Sequence, residues 1–356
     1  MAIIHVLGVP HTYELTAPTE NPCVLVFIHG WLLSRGYWQP LIERLSPFYQ
    51  CLSYDLRGFG DSNWQLGKQL QHSTSEATAD LETVGSSVAT KPFRATSQVD
   101  TAIQDQPDSI SPTAVSTIQG HSSPLPQSRY SPAAYAHDLT VLLQTLNIQQ
   151  AWLVGHSLGG SIALWGADQM LHQVKGVICL NSGGGIYLKE EFERFRAAGQ
   201  QLLKLRPRWL CHFPLLDLLF ARASVVQTID RAWGRQRVID FVMAHPEAAL
   251  GTLMDSTTEE EVHYLPQVVS RLQQPVYFLA GAQDPIMEPK YVRHLASFHA
   301  LFRCCGDNVF EIPNCGHMAM LEQPDWVATQ MQVILSKHEK GWKGSEELTM
   351  QNWDAS

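Results

Sequence analysis

No stretch of this sequence approaches the ~18 consecutive apolar residues of a membrane-spanning helix, and its opening, "MAIIHVLGVPHTYEL", lacks the basic start and long apolar run of a secretory leader. Neither a span nor a leader is expected. Runs of lysine or arginine are also absent and the formal charge is −9, which argues against a nucleic-acid partner. The seven cysteines, Cys23, Cys51, Cys179, Cys211, Cys304, Cys305 and Cys315, form no C-x-x-C pair. Scattered in mostly apolar surroundings, they read as reduced core residues of a cytoplasmic protein. Fifteen histidines invite a metal, but H-E-x-x-H is missing and the His5/His11 pair has no carboxylate neighbours, so no metal is expected. The one run of three glycines, "NSGGG" at 181–185, lacks the spacing of a dinucleotide or nucleotide loop and reads as a turn. No cofactor is implied, and no internal repeat is found.

What the chain does have is alternation. "IIHVLGVPHTYEL" reads as a strand hairpin, and "CVLVFIHG", "YQCLSYD", "AWLVG", "VKGVICLN", "PVYFLAG" and "VFEIP" read as further strands, several of them apolar on both faces. Between them lie helical patterns: Trp38, Leu41, Ile42 and Leu45; Leu139, Leu142, Leu143 and Leu146 behind a Ser131-Pro132 start; and Val327, Met331 and Ile334 near the end. Such alternation predicts an α/β protein with a mostly parallel sheet flanked by helices.

Two segments break the rhythm. Residues 65–130 are rich in Ser, Thr, Gln, Pro and Asp and poor in aromatics, which predicts a disordered insertion. Residues 186–272 are apolar and helical in pattern, so they should fold as a cap. The expected division is therefore a core made of 1–64, 131–185 and 273–338, the insertion 65–130, the cap 186–272 and a polar tail 339–356.

The stretch "AWLVGHSLGGSIAL" carries the chemistry. Gly155-His156-Ser157-Leu158-Gly159 fits G-x-S-x-G between a strand and a helix, the context that turns a short pattern into a nucleophile elbow. A bare match is also what an incidental glycine-rich turn looks like; the flanking strand and helix decide for the elbow. A serine hydroxyl is a weak nucleophile at neutral pH and needs a base, which in turn needs an orienting acid. Asp284, just past "PVYFLAG", and His317, in the loop after "VFEIP", follow Ser157 in the order Ser, Asp, His. Asp255 is the reserve acid. His156 is expected to pack beneath the turn, and Arg57 and Asp61 to brace one.

Together "HGW" (29–31), "DLRGFGDS" (55–62), "GHSLGG" (155–160), "GAQD" (281–284) and "GH" (316–317) make the chain similar to serine members of the α/β-hydrolase superfamily. Haloalkane dehalogenases and epoxide hydrolases carry aspartate where Ser157 stands, so the resemblance points away from them. It implies catalysis by Ser157, His317 and Asp284, an oxyanion hole made by the backbone N–H groups of Trp31 and Leu158, and a helical cap over the site. The apolar cap suggests a pocket lined by Trp31, Trp209, Phe213, Leu216 and Phe220, and peripheral contact with a membrane. The expected activity is hydrolysis of a carboxylic ester with a sizeable apolar part, through an acyl-enzyme. The same motifs serve thioesterases, C–C bond hydrolases, acyltransferases, enzymes similar to chlorophyll dephytylases, and ligand receptors with little turnover.

Overall fold

A computed structural model of the chain describes residues 1–63, 128–183, 189–305 and 308–338. The expected insertion lies outside the described residues except at its end, and there the boundary needs correcting. Tyr130 is 5% exposed and sits under the Arg57 guanidinium, 5.7 Å from its ring centre. It belongs to the core because its ring fills the space against Gly251, where even a methyl group would not fit. The tail 339–356 also lies outside the described residues.

Eight strands form one sheet: β1 (Ala2–Val6), β2 (Val9–Leu15), β3 (Val24–Ile28), β4 (Gln50–Tyr54), β5 (Ala151–His156), β6 (Val174–Leu180), β7 (Val276–Gly281) and β8 (Val309–Ile312). Their order is β1-β2-β4-β3-β5-β6-β7-β8. The hairpin β1–β2 is antiparallel, its turn closed by Leu7 and Gly8 at positive φ, and β2 is antiparallel to β4. All later pairings are parallel. Every residue of β3, β5 and β7 is buried, as expected of strands covered on both faces.

Side chains alternate between two apolar layers with the period of a strand. Val26 and Leu153 join Leu139, Leu142 and Leu143 of helix Pro132–Thr145 and Ile162 of helix Leu158–Gln169 on one face. Leu25, Phe27 and Val154 join Leu41 and Leu45 of helix Gln39–Leu45 and Met331 and Ile334 of helix Pro324–Ser336 on the other. The Ser131 hydroxyl accepts from the Ala134 N–H at 3.2 Å, capping the helix its sequence announces. The parallel register sets Ile28 beside Gly155 and Gly155 beside Cys179, so β3, β5 and β6 end level. Loops leaving that edge hold the candidate residues, the place where open α/β sheets take ligands.

Between β6 and β7 the chain forms the helices Lys189–Lys204, Leu216–Arg222, Arg231–Met243, Pro246–Ser256 and Glu259–Arg271. The insert is stitched to the core: the His245 N–H donates to the Gly58 carbonyl at 2.8 Å, and the Tyr135 hydroxyl lies 2.9 Å from Thr252 Oγ1. Helix Glu259–Arg271, capped by Thr258, lies against the core helix Leu158–Gln169, with the Trp165 and Tyr264 rings stacked at 5.3 Å. No helix among the described residues is long and apolar enough to cross a membrane.

Trp165 Nε1 donates to Glu261 Oε1 at 2.7 Å in this buried contact. Burial outweighs that hydrogen bond and pushes the Glu261 carboxyl up to about 7. A carboxyl whose folded pKa is raised favours the folded state in its neutral form, so stability falls as pH rises from the unfolded value toward 7. At about 1.4 kcal/mol per pKa unit the full effect is on the order of 3 kcal/mol. Glu261→Gln, which keeps the acceptor for Trp165, should melt roughly 5 °C above the wild type at pH 8. The advantage should shrink as the pH falls toward about 4.5. A melting difference independent of pH would show that Glu261 is not held neutral.

Candidate active site

Ser157 stands between β5 and helix Leu158–Gln169 with φ 52° and ψ −119°, a conformation costly for a non-glycine residue. Two glycines make it feasible. A Cβ on Gly155 would lie 2.1 Å from the Gly159 carbonyl oxygen, and one on Gly159 would lie 2.1 Å from the Ile28 carbonyl oxygen of β3. The turn is pinned by the Ser157 N–H donating to Leu180 O and the Gly160 N–H donating to Ser157 O, both at 3.0 Å. As the first residue of its helix, Leu158 has an N–H with no intrahelical acceptor.

His317 is 6% exposed and follows β8. Its Nδ1 lies 2.8 Å from Asp284 Oδ2, and Asp284 is 3% exposed. Asp284 accepts three further hydrogen bonds: from Asn181 Nδ2 at 2.9 Å on Oδ2, and from the Ile286 and Met287 N–H groups at 2.8 and 2.9 Å on Oδ1. Burial pushes this carboxyl up, but His317 and the two backbone donors outweigh it and hold the pKa at about 2. An ionised Asp284 fixes the Nδ1–H tautomer of His317 and leaves Nε2 as the proton acceptor. Ser157 and His317 line one cavity, without a hydrogen bond between them among the described residues, a looseness common before substrate closes the pair.

The His317 loop is held from three directions. Its own N–H donates to Ser224 O at 2.8 Å, and its carbonyl lies 2.8 Å from His156 Nε2. Glu322 accepts from the N–H groups on either side of His317, Gly316 at 3.0 Å and Met318 at 3.1 Å, and from Val226 and Gln227 of the helical insert at 2.7 and 3.1 Å. His156 does pack beneath the turn, as expected: its ring centre is 4.9 Å from that of His317, and burial pushes its pKa down to about 3.

The loop after β3 supplies a second backbone donor. The Leu56 N–H donates to His29 Nε2 at 2.9 Å, so the proton of this neutral imidazole sits on Nδ1, which donates to Gly30 O at 2.8 Å. Burial holds His29 at about 4, so that tautomer persists at neutral pH. Fixing the Gly30 carbonyl fixes the peptide plane it shares with the Trp31 N–H, a donor no hydrogen bond uses among the described residues. The Trp31 indole donates to Ala249 O at 2.9 Å, tying this loop to helix Pro246–Ser256.

The cavity above these groups has a volume of about 530 Å³. Of the expected pocket residues, Trp31 and Phe220 line it. Trp209 and Phe213 do not: they are 60% and 54% exposed, with rings 5.9 Å apart on the outside of the insert. They lie on a short 3-10 turn and the segment after it, whose apolar side chains outnumber what one inner face can bury. Leu216 packs on the core instead. Asp255 is displaced as reserve acid, since it lies on the insert and accepts from the Ser128 hydroxyl. Asp61 pairs with Arg35 at 2.8 Å and Arg57 with Asp138 at 3.3 Å, both braces. Among the described residues, no three His, Cys, Asp or Glu side chains group as a metal would need. Asn181, Glu322 and the role of His29 were not expected; an asparagine directly after the apolar run "VKGVICL" was the one available signal.

The sequence model of the alpha/beta hydrolase family matches residues 25–330. An uncharacterised protein of Mycobacterium tuberculosis is 28% identical over 222 residues, 58% of this chain and 62% of that protein. A 2-succinyl-6-hydroxy-2,4-cyclohexadiene-1-carboxylate synthase of Salmonella arizonae is 26% identical over 209 residues, 55% of this chain and 73% of the synthase. The fold is shared with an esterase of Thermogutta terrifontis, with TM-score 0.58 and 18% identity over 93% of this chain and 95% of that one. It is shared too with an enol-lactonase of Burkholderia xenovorans, with TM-score 0.59 and 16% identity over 94% and 100%.

A fluorophosphonate, which reacts with serines made nucleophilic by a neighbouring base, should label Ser157. Asp284→Asn, which favours the wrong imidazole tautomer, should slow labelling by on the order of 10³-fold or more. His29→Ala, which frees the Gly30–Trp31 peptide, should slow it by about 10²-fold. Asp255→Asn should leave it unchanged. Greater damage from Asp255→Asn than from Asp284→Asn would contradict the geometry.

Proposed function

The chain belongs to the alpha/beta hydrolase family, and we propose that it is a serine hydrolase that cleaves a carboxylic ester with a sizeable apolar part. The observation that carries this reading is the 2.8 Å Asp284–His317 contact opening on the same cavity as a serine held at φ 52°. Ser157 Oγ attacks the ester carbonyl while His317 Nε2 takes its proton. Asp284, already ionised, stabilises the imidazolium that forms. The tetrahedral oxyanion accepts from the Leu158 and Trp31 N–H groups, each worth about 2.7–4 kcal/mol to the transition state. Collapse expels the alcohol, which takes the proton from His317. Water, deprotonated by the same imidazole, then releases the acid from Ser157.

The cavity supports an apolar substrate, since Trp31, Phe195, Phe220, Phe241, Leu253 and Met287 supply much of its wall. Pockets of this size bury most of a small lipophilic molecule. Esterases and an enol-lactonase share the fold, which suits ester chemistry without fixing the substrate.

The exposed apolar ridge of the cap fits delivery of such a substrate from a lipid surface. Leu205, Trp209, Phe213, Leu215 and Leu219 are each 54–70% exposed along one stretch of chain, with the Trp209 and Phe213 rings 5.9 Å apart, more than singly scattered surface residues would give. Lys204, Arg208 and Arg222 lie exposed on the same segment, so a chain of net charge −9 is locally basic here. Aromatic rings flanked by basic groups suit the headgroup region of an anionic bilayer.

Ser157→Ala should abolish turnover of 4-nitrophenyl esters, with a loss on the order of 10⁶-fold in kcat, while the melting temperature holds. A purified variant that keeps a tenth of wild-type activity would rule out Ser157 as the nucleophile. In co-sedimentation with phosphatidylglycerol vesicles, Trp209→Ser with Phe213→Ser should lose binding and keep turnover of soluble esters. Unchanged vesicle binding would remove the ridge from the account.

A further inference from the structure

Arg237, on helix Arg231–Met243, is the one permanently charged side chain among the described residues that line the cavity. Its Nη1 donates to the Phe220 and Ala223 carbonyls at 2.6 and 2.7 Å. No carboxylate lies within 4 Å of it among the described residues. The groups that favour its charge through space are Tyr37 and Glu322, and the nearby acids on its own helix and in the His317 loop already have hydrogen-bond partners. Asp240 accepts from Ser34 Oγ and Gln236 Nε2, both at 3.0 Å, and Glu322 holds the four backbone N–H groups around His317 and at 226–227.

This arrangement leaves one edge of the guanidinium unused. A guanidinium is planar, with five N–H groups in a fixed fork, and the two carbonyls occupy Nη1. The remaining edge, Nε and Nη2, makes no hydrogen bond among the described residues and is the edge that takes a carboxylate with two parallel bonds. Burial pushes the pKa of Arg237 down, yet an arginine stays charged in a protein. A cation lining an apolar cavity with no carboxylate in contact, and only the more distant Glu322 to favour its charge, is costly to hold unless a ligand supplies a direct partner.

We propose that Arg237 binds a carboxylate carried by the substrate, distinct from the carbonyl that Ser157 attacks, so that the preferred ester is amphiphilic: an apolar body with one free acid group. The inference rests on the hydrolase reading for its placement in catalysis, though not for binding itself. One cation matches one negative charge; a phosphate dianion would leave a charge unbalanced among Phe220, Phe241 and Leu253. The bland role, a clamp on the carbonyls that end helix Leu216–Arg222, uses only Nη1 and leaves the Nε–Nη2 edge without an acceptor among the described residues.

Two esters of matched size decide it: the mono-4-nitrophenyl ester of adipic acid and its methyl-capped neutral counterpart. The wild type should prefer the free acid by about 10-fold or more in kcat/KM. Arg237→Met should lose roughly 30-fold on the free acid, through KM, and less than about 3-fold on the neutral ester. Arg237→Lys, which keeps a charge for the two carbonyls, should fold like the wild type and still lose most of the preference. Calorimetry with octanoate and octanamide reads binding without turnover: octanoate should bind more tightly to the wild type, and the difference should vanish in Arg237→Met. If neither ester is cleaved, the hydrolase reading fails and calorimetry still decides the carboxylate site. Equal use of both esters by the wild type, equal losses on both in Arg237→Met, or no octanoate preference would overturn the proposal.

Discussion

The contact on which the rest of the site depends is that of Gly159 with the end of β3. With a side chain at 159 reaching to within 2.1 Å of the Ile28 carbonyl oxygen, only glycine lets helix Leu158–Gln169 start where it does. That start brings the Leu158 N–H close to the loop that leaves β3, which carries the Trp31 N–H. Gly155, pressed against Gly159 from below, then leaves Ser157 to take the positive φ that lifts its hydroxyl clear of the sheet. The strain of that residue is sustained because parallel strands on both sides of β5 end level with it.

Three histidines meet at this edge, and their partners separate their tasks. His29 is neutral and buried, accepts from Leu56 and orients the peptide that bears the Trp31 N–H. His156 is neutral and buried, and holds the carbonyl of His317. Of the three, His317 alone faces an ionised carboxylate, which leaves its Nε2 as the acceptor nitrogen in the shared cavity. Glu322 extends the same logic by tying both N–H groups beside His317 to those of Val226 and Gln227 in the helical insert.

Much of this was legible in the sequence. Apolar runs of the right length gave all eight strands, and Ser131-Pro132 gave a helix start that the Ala134 N–H uses. Ser157, Asp284 and His317 were readable because each follows an apolar strand in an order the fold dictates. What escaped is what depends on contacts between distant segments. Trp209 and Phe213 look like pocket walls because the cap has more apolar side chains than its inner face can bury, and composition does not say which turn outward. Tyr130 looks like part of a polar segment until Arg57 and Gly251 come against it. Asn181 hides in a run that reads as a turn, and Arg237 is one of several arginines in "RAWGRQR" until the cavity singles it out.

The cap combines opposite surfaces: an apolar inner wall with one cation, and an outer ridge where apolar rings sit among basic residues. Their proposed part in catalysis requires that Ser157 form a covalent intermediate beneath them. Mixing the protein with an activated ester of a slowly released acyl group, quenching in acid and mapping peptides by mass spectrometry tests that directly. The acyl mass is expected on the peptide that contains Ser157, formed within the first turnover. Turnover with no adduct, or an adduct on another residue, would contradict it.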